Sequence, residues 1–331
     1  MPSTFDSGPT GQQVRDRVSA REEATTRGGL RPVRALGRAR RAWRPWLQAV
    51  RPHQWAKNSL MFLPALAAHL PLSLSLVSRL ALGFVAFSGL ASAVYLLNDV
   101  VDLSSDRSHP RKRFRPIAAG EIDIVQALAV SVGLVMVSAL LAVWLNGAFG
   151  AILALYLLMS TVYSLFLKER VVIDVITLAT LYTVRIVAGA TLVGVPLSRW
   201  FLAFSIFLFL SLALVKRSVE LNDARDRGGG RVAGRGYRPG DAAVLGFVGV
   251  SSATAAALVY CLYITGDSVL TLYSRPDYLW LGLPIFLYWI IRIWLLALRG
   301  DLDEDSVVFA LRDPPTYLAL AAFIFTVWIA S

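Results

Sequence analysis

Three aspartates follow an apolar segment at a spacing suited to one helical face. Asp99, Asp102 and Asp106 stand at positions i, i+3 and i+7, and Asn98 directly precedes them. If a helix continues through this stretch, the three carboxylates lie on one side of it, where like charges repel. A hard divalent cation relieves that repulsion, and Mg²⁺ typically binds one or two carboxylates, several waters and substrate phosphates. The spacing predicts a Mg²⁺ site formed by the three aspartates.

A basic segment begins immediately after the acidic one. It places five cationic side chains within nine positions: Arg107, Arg111, Lys112, Arg113 and Arg115. Guanidinium and ammonium groups bind phosphate oxygens through charge-assisted hydrogen bonds. Acidic residues followed by basic ones therefore favour a site for a metal–diphosphate complex. The alternative is a solvated loop whose acids pair with its own bases.

A second polar stretch repeats part of this pattern further along the chain. Its Asn-Asp-x-x-Asp run at 222–226 has the spacing of the run at 98–102, so two acidic helix ends could meet over one cavity. The repeat is short enough to arise by chance. Glu220 or a neighbouring aspartate is the candidate binding residue here, with Lys216 and Arg217 beside it.

Other candidates stand singly at or inside apolar segments, where ionisable groups are functional candidates by default. Asp174 and Arg185 are eleven residues apart, about 16 Å along a helix, so they cannot pair directly. Arg185 therefore needs a polar cavity or an anionic ligand. Lys57 lies in a polar cluster at the start of the first apolar segment, where interfacial anchoring is the alternative role. Tyr163 and Lys168 stand at the end of the fourth segment.

The elements that must position these residues are membrane helices. Of 331 residues, 56% are hydrophobic and 17% are charged, whereas soluble domains contain about 25% charged residues. A span needs about 20 apolar residues and must satisfy its own backbone hydrogen bonds, so each apolar segment is predicted to be a helix. The first and last are short, which leaves a count of eight or nine. The predicted segments are Trp55–Leu70, Val77–Leu97, Ile124–Leu145, Gly147–Leu167, Val171–Leu192, Leu197–Val215, Ala242–Thr265, Tyr278–Leu298 and Pro315–Ala330.

Positive charge is distributed to one side of these segments. The chain carries 33 Lys and Arg against 22 Asp and Glu, for a net charge of +11. With a cytoplasmic N-terminus, 28 of the 33 basic residues fall on the inner side and three on the outer side. This asymmetry predicts a multi-pass plasma-membrane protein with the aspartates facing the cytoplasm. Because the basic charge is spread over all the inner loops, nucleic acid is not the expected partner.

The N-terminal part differs in composition from the rest of the chain. Residues 1–44 are rich in Arg and Gly, and no apolar signal-peptide region follows Met1. We expect a disordered cytoplasmic arm that contacts anionic lipid headgroups, followed by a catalytic membrane domain at 45–331. An organelle transit peptide is the alternative for the arm, although its acidic residues argue against it. The single cysteine, Cys261, excludes an intrachain disulfide and any cysteine-based metal site.

These motifs resemble the UbiA superfamily of intramembrane prenyltransferases. The resemblance covers roughly Arg51 to the C-terminus and implies an all-α bundle of about nine helices around a cavity open to lipid. It is strongest for the branch of decaprenyl-phosphate phosphoribosyltransferases. The residues that carry it are R-P-H-Q-W-A-K-N at 51–58, the run from N-D at 98–99 to A-A-G at 118–120, and K-R-x-x-E-L at 216–221.

That branch transfers 5-phosphoribose from phosphoribosyl pyrophosphate (PRPP) to a polyprenyl phosphate and releases pyrophosphate, on the route to the arabinan of arabinogalactan and lipoarabinomannan. The resemblance thus implies a Mg²⁺-dependent glycosyltransferase and leaves homo-oligomerisation open. Asp99, Asp102, Asp106 and Asn98 are its expected catalytic residues. The expected substrate-binding residues are Lys57, Arg107, Lys112, Arg113, Arg115, Tyr163, Lys168, Asp174, Arg185, Lys216, Arg217 and Glu220.

Two other functions remain open at this level. A true prenyltransferase would use the same metal motif with an isoprenyl diphosphate donor and an aromatic or other acceptor. A transporter would need ionisable groups near the middle of the membrane, whereas most charge here lies at one face. One departure from the superfamily concerns the second loop, where prenyltransferases usually carry D-x-x-x-D. Here Asp223 and Asp226 are only three residues apart.

Overall fold

The computed structural model describes residues 43–71, 73–226, 236–302, 309 and 313–331, and every regular element in these ranges is a helix. This confirms the all-α class. The chain divides between Arg44 and Pro45, and Pro45–Ser331 is the second compact unit. The expected disorder of the arm falls outside the described residues and stays a prediction. The α-helices are α1 (Trp43–Val50), α2 (Leu63–Ala67), α3 (Leu74–Val101), α4 (Leu103–Ser108), α5 (Ile124–Leu145), α6 (Gly147–Val162), α7 (Ile173–Val193), α8 (Arg199–Asp226), α9 (Ala242–Ile264), α10 (Asp267–Leu272), α11 (Gly282–Arg299) and α12 (Pro314–Ala330).

Seven helical segments in the described part of the chain are long and apolar enough to cross a membrane. They contain α3, α5, α6, α7, α8, α9 and α11, and they correspond to seven of the nine predicted segments. The last predicted segment is the shorter apolar helix α12, so the count of nine is not confirmed.

The first predicted segment is not one α-helix. A 3₁₀ helix occupies Pro52–Phe62, and the five-residue α2 follows it. Because a 3₁₀ helix rises about 2.0 Å per residue instead of 1.5 Å, these 16 residues extend roughly 30 Å, close to the thickness of the hydrocarbon core. This length is greater than an α-helix of the same 16 residues would have, about 24 Å.

Polar residues set the boundaries between consecutive apolar helices. Asn146 separates α5 from α6, and its side chain accepts hydrogen bonds from the first backbone amides of α6. Asp123 caps α5 in the same way, and Asp313 caps α12 while it pairs with Arg292 of α11 at 2.7 Å. Such caps satisfy amide groups that no helical turn can satisfy.

Helix α7 lies at the centre of the bundle. One hydrophobic core packs it against α8, α9 and α11, and a second packs it against the 3₁₀ helix, α3 and α6. Its polar residues are consequently surrounded by protein on both sides. Asp174 and Arg185, the two charged residues of α7, are both buried.

A glycine of α7 allows the 3₁₀ helix to approach closely. A Cβ atom on Gly189 would lie 2.0 Å from the backbone oxygen of Met61, and backbone cannot yield as a flexible side chain does. Small residues of this kind let membrane helices pack closely. The site residues before Met61 on the 3₁₀ helix therefore depend on this contact.

We expect Gly189→Ala to destabilise the protein by about 1–3 kcal/mol, because overpacking outweighs the better helix propensity of alanine. Thermal unfolding of the purified protein in detergent measures the change. The matched control is Gly133→Ala in α5, where nothing lies within 4 Å of the added Cβ. An equal melting temperature for the two variants would contradict the close-packing argument.

Candidate active site

Two buried carboxylates at one end of the bundle share one arginine. Arg115 donates from Nη1 to Oδ1 of Asp99 at 3.1 Å and to Oδ2 of Asp106 at 2.6 Å. Arg51 donates to the same Asp99 oxygen at 2.6 Å. Arg51 precedes the 3₁₀ helix in a left-handed backbone conformation, with φ of 53°. The N-terminal motif and the aspartate motif therefore meet at Asp99, a contact that sequence reasoning did not identify.

Asp102 is separated from the other two aspartates. Helix α3 ends at Val101, and Asp102 lies between α3 and α4 with φ of −86° and ψ of 8°. Its Oδ1 accepts a hydrogen bond from Nζ of Lys168 at 2.8 Å. The three carboxylates were expected on one helical face, and the backbone bonds from Asp102 to Asn98 and from Asp106 to Asp102, both 2.8 Å, keep a helical path here. Asp102 nevertheless pairs with Lys168 and not with Arg115.

Lys168 owes its position to a π turn at the end of α6. This turn covers Tyr163–Leu167, and the amide of Lys168 donates to the carbonyl of Tyr163 at 2.9 Å. Such turns insert an extra residue into a helix and are frequent at functional sites. Here the turn directs Lys168 to Asp102 and Tyr163 to α8.

The donor set at Asp99 fits a hard divalent cation. Its Oδ2 is buried and has no hydrogen-bond partner among the described residues, and a buried carboxylate oxygen of this kind is costly unless a donor or metal reaches it. Asp106 is held close by through Arg115, and carboxylate oxygens are the ligands that Mg²⁺ prefers. In the described ranges, however, no three acidic, histidine or cysteine side chains form a metal-binding group. The three-aspartate Mg²⁺ site stays a prediction.

The remaining basic residues of this segment lie at the surface. Lys112 and Arg113 are exposed, and the Arg113 guanidinium stacks 4.8 Å from the ring centre of Phe114. Arg107 is exposed and donates weakly, at 3.3 Å, to the carbonyl of Ala118. These cations are accessible to a soluble anion. Asn98 is half-buried beside them, and its carbonyl accepts the amide of Asp102 at 2.8 Å.

A second charged cluster is almost completely buried around Arg217 of α8. Its guanidinium donates to Asp174 at 2.6 Å and to the Tyr163 hydroxyl at 3.2 Å, and it also pairs with Glu220. Arg217 and Asp174 are 1% and 0% exposed. Both were predicted to bind substrate, but this burial favours a role in positioning Glu220, which is half-buried.

Sequence reasoning missed Tyr237, which completes this cluster. Its hydroxyl donates to Oδ1 of Asp174 and accepts the backbone amide of Val172 at 2.9 Å. Tyr237 stands alone in a Gly- and Arg-rich stretch, so no local pattern marks it. Only the return of the chain towards α7 reveals its contacts.

Arg185 occupies a third cluster, deeper in the bundle. It donates to the Asn58 side chain at 2.9 Å, to the Tyr156 hydroxyl at 2.9 Å and to the carbonyl of Leu181 at 2.6 Å. These three hydrogen-bond partners are all neutral. Aromatic rings also surround the guanidinium. Those rings belong to Phe87, Tyr156 and Tyr182, with centres 4.9–5.4 Å away. As the eleven-residue spacing predicted, Arg185 and Asp174 do not pair.

Depth separates this cluster from the aspartates. Asn58 also donates to Ser88 of α3 at 3.0 Å, which places the Arg185 guanidinium near the level of Ser88. Asp99 is eleven residues further along α3, or about 16 Å. The Nζ of Lys57 lies 5.9 Å from the ring centre of Tyr182, so Lys57 belongs to the deeper level.

The second acidic run does not repeat the geometry of the first. The Asn222 side chain faces α11, where it donates to the carbonyl of Ala297 at 3.4 Å. Lys216 is half-buried next to Arg217. Participation of the acidic residues at 222–226 in the site therefore stays a prediction.

Relatives by sequence cover most of this chain. It is 34% identical to the decaprenyl-phosphate phosphoribosyltransferase of Mycobacterium tuberculosis, over 86% of this chain and 93% of that one. It is 35% identical to the nodulation protein NoeC of Azorhizobium caulinodans, over 81% and 87%. It is 37% identical to an uncharacterised protein of Sinorhizobium fredii over 84% of this chain, which spans only 55% of the length of that protein.

The fold is also that of solved structures. A UbiA homologue from Archaeoglobus fulgidus, bound to GPP and Mg²⁺, superposes with a TM-score of 0.63 at 15% identity, over 85% of this chain and 99% of that one. The sequence profile of the UbiA prenyltransferase family matches residues 59–328, which contain the aspartates and all three charged clusters except the most N-terminal contacts. By this profile match and by relatives more than 30% identical, the chain belongs to the UbiA prenyltransferase family.

Proposed function

We propose that this protein transfers 5-phosphoribose from PRPP to a polyprenyl phosphate and releases pyrophosphate. The observation that carries the proposal is the pair of buried carboxylates, Asp99 and Asp106, joined by Arg115 beside an exposed row of basic side chains. A donor with both a diphosphate and a separate phosphate needs this surplus of cations. The relatives named as phosphoribosyltransferases support the same donor.

Each group of residues has a distinct part in the proposed reaction. Asp99, Asp102 and Asp106 are the proposed ligands of Mg²⁺, which when bound would neutralise charge on the departing pyrophosphate. Arg107, Lys112, Arg113 and Arg115 bind the phosphates of PRPP, while Asn98 orients a ligand. Lys168, which pairs with Asp102, and Glu220, which pairs with Arg217, are proposed to line the same site.

The chemistry is a substitution at C1 of the ribose. The bond from C1 to the pyrophosphate oxygen breaks, the pyrophosphate leaves with the electron pair, and an oxygen of the lipid phosphate forms the new bond to C1. A phosphate monoester has its second pKa near 6, so the acceptor is mostly ionised at neutral pH. No strong general base is required, and catalysis consists of positioning and electrostatic stabilisation.

Lys57 and Arg185 are proposed to contact the anionic acceptor as it enters from the membrane. The Arg185 guanidinium is permanently charged, and burying a charge without a counter-charge costs free energy. An anionic ligand would offset that cost of burial. Arg185 bonds Asn58 at the level of Ser88, eleven residues before Asp99 on α3, so the two residues would meet the acceptor on its way to the aspartates.

The deciding experiment uses purified protein in nanodiscs with polyprenyl phosphate and PRPP labelled in its ribose. We expect label to enter the lipid fraction, pyrophosphate to be released in equal amount, and EDTA to abolish both. A parallel reaction with labelled isoprenyl diphosphate and an aromatic acceptor tests the prenyltransferase alternative. Transfer of isoprenyl label, with none from PRPP, would replace the proposed donor. Release of no pyrophosphate from either donor would leave transport as the better hypothesis.

A further inference from the structure

A strained turn joins the π-turn segment to α7. Val172 has φ of 68° and ψ of −45°, and the amide of Ile173 donates to the carbonyl of Val171 at 2.8 Å. These values define a γ-turn of the rare positive-φ type. For a β-branched residue such a conformation is an outlier that persists only when surrounding contacts enforce it.

Tyr237 supplies the contact that enforces this turn. Its side chain is 1% exposed, and its hydroxyl accepts the amide of Val172 while donating to Asp174. Burial, and then the hydrogen bond to Asp174, raise the pKa of Tyr237 above its ordinary value, so the hydroxyl stays protonated at neutral pH. It is therefore a permanent donor to the carboxylate.

The backbone before Tyr237 approaches the same segment. A Cβ atom on Gly236 would lie 2.5 Å from the backbone oxygen of Glu169 and 2.8 Å from the Val171 side chain. Only glycine allows this approach without displacement. Two independent contacts thus fasten the chain before α9 to residues 169–172.

Residues of the candidate site lie on either side of the segment 169–172 along the chain. Lys168, one residue before Glu169, pairs with Asp102. Asp174, two residues after Val172, holds Arg217, and Arg217 pairs with Glu220. One phenol hydroxyl therefore lies between the segment that carries Lys168, the partner of Asp102, and the series of contacts that ends at Glu220.

We propose that Tyr237 is a positioning residue, whose hydroxyl fixes the Val172 turn and the Asp174 carboxylate and thereby holds Lys168 and Glu220 in their working geometry. The proposal rests on the proposed function for the roles of Lys168 and Glu220. The contact between Tyr237 and the turn stands independently of any reaction.

The first measurement is hydrogen exchange of the full-length protein in nanodiscs. We expect Tyr237→Phe to accelerate exchange of the backbone amides at 168–174, because the Val172 amide loses its acceptor. Tyr288→Phe is the matched control, since Tyr288 is 57% exposed on the outer face of α11. Unchanged exchange in Tyr237→Phe would overturn the proposal whatever the reaction proves to be.

The second measurement is a double-mutant cycle on PRPP-dependent transfer. Tyr237→Phe is expected to lower kcat about tenfold to hundredfold, the effect of a hydrogen bond to a charged group, with a much smaller change in the KM for PRPP. In a Glu220→Gln background, the same change should cost less than about threefold, because residues acting in one chain are not additive. Additive effects would show that Tyr237 does not act through Glu220 and would overturn that part of the proposal.

Gly236→Ala tests the contact between the two segments while leaving the Tyr237 side chain unchanged. We expect it to accelerate the same exchange and to lower kcat, since the added methyl forces the two segments apart. Normal hydrogen exchange and normal kcat in this variant would show that the contact of Gly236 with residues 169–172 does not hold the segment in place. If the wild-type protein transfers no label from PRPP, the proposed function fails, while the exchange comparison still decides the role of Tyr237.

Discussion

Asp99→Asn is expected to reduce turnover at least about 100-fold, the usual effect of removing a central electrostatic group from an active site. The substitution keeps the shape of the side chain but removes the charge that binds Arg51 and Arg115. It also replaces one carboxylate oxygen with an amide NH₂ group, which cannot bind a metal. The expression level and melting temperature should change much less than the rate, because the asparagine still accepts a hydrogen bond from one arginine.

The measurement is the initial rate of ribose transfer at saturating PRPP across a Mg²⁺ titration. A lost metal ligand shows itself as a rate that rises only at far higher Mg²⁺ than the wild type requires. Asp277→Asn, an exposed aspartate before α11, is the matched control and should behave as wild type. A variant at position 99 with near-normal rate and Mg²⁺ dependence would reject Asp99 as a ligand.

Arg217→Met should destabilise the protein by about 3–5 kcal/mol, because it leaves the fully buried Asp174 carboxylate without its cation. Methionine approximates the volume of the arginine stem, so loss of packing contributes little to the effect. Glu220 loses its partner at the same time, and transfer activity should fall with it. Chemical or thermal unfolding in detergent measures the first effect, and the transfer assay measures the second.

The double variant Asp174→Leu with Arg217→Met separates stability from activity. Removing both members of a buried ion pair often restores stability, since neither charge remains uncompensated. We expect its melting temperature to return most of the way to the wild-type value while its activity stays low, because Glu220 still lacks its guanidinium. Recovery of activity together with stability would show that the buried pair only supports the fold. If Arg217→Met alone were as stable as the wild type, the ion pair between Arg217 and Asp174 would not be needed to stabilise the fold.

Local composition determined where the apolar helices and the charged motifs lie in this protein. Seven of the predicted segments are helices long enough to span a bilayer, because insertion of a helix into lipid depends on the residues of that helix alone. The first segment differed, since Pro52–Phe62 is a 3₁₀ helix that packs closely against α7. The motif residues were recognisable for the same local reason, because acids and bases lie next to one another in the chain.

Pairing between these residues was decided only by the tertiary structure. Arg51 meets Asp99 across 48 residues, Lys168 meets Asp102 across 66, and Arg185 meets Asn58 across 127. Such contacts depend on how the helices pack, and no periodicity in the sequence encodes them. Tyr237 is the clearest case, since its partners become visible only when the chain returns to the turn before α7. The sequence alone therefore determined the apolar helices and the resemblance to the family, whereas helix packing decided which charged side chains pair with one another.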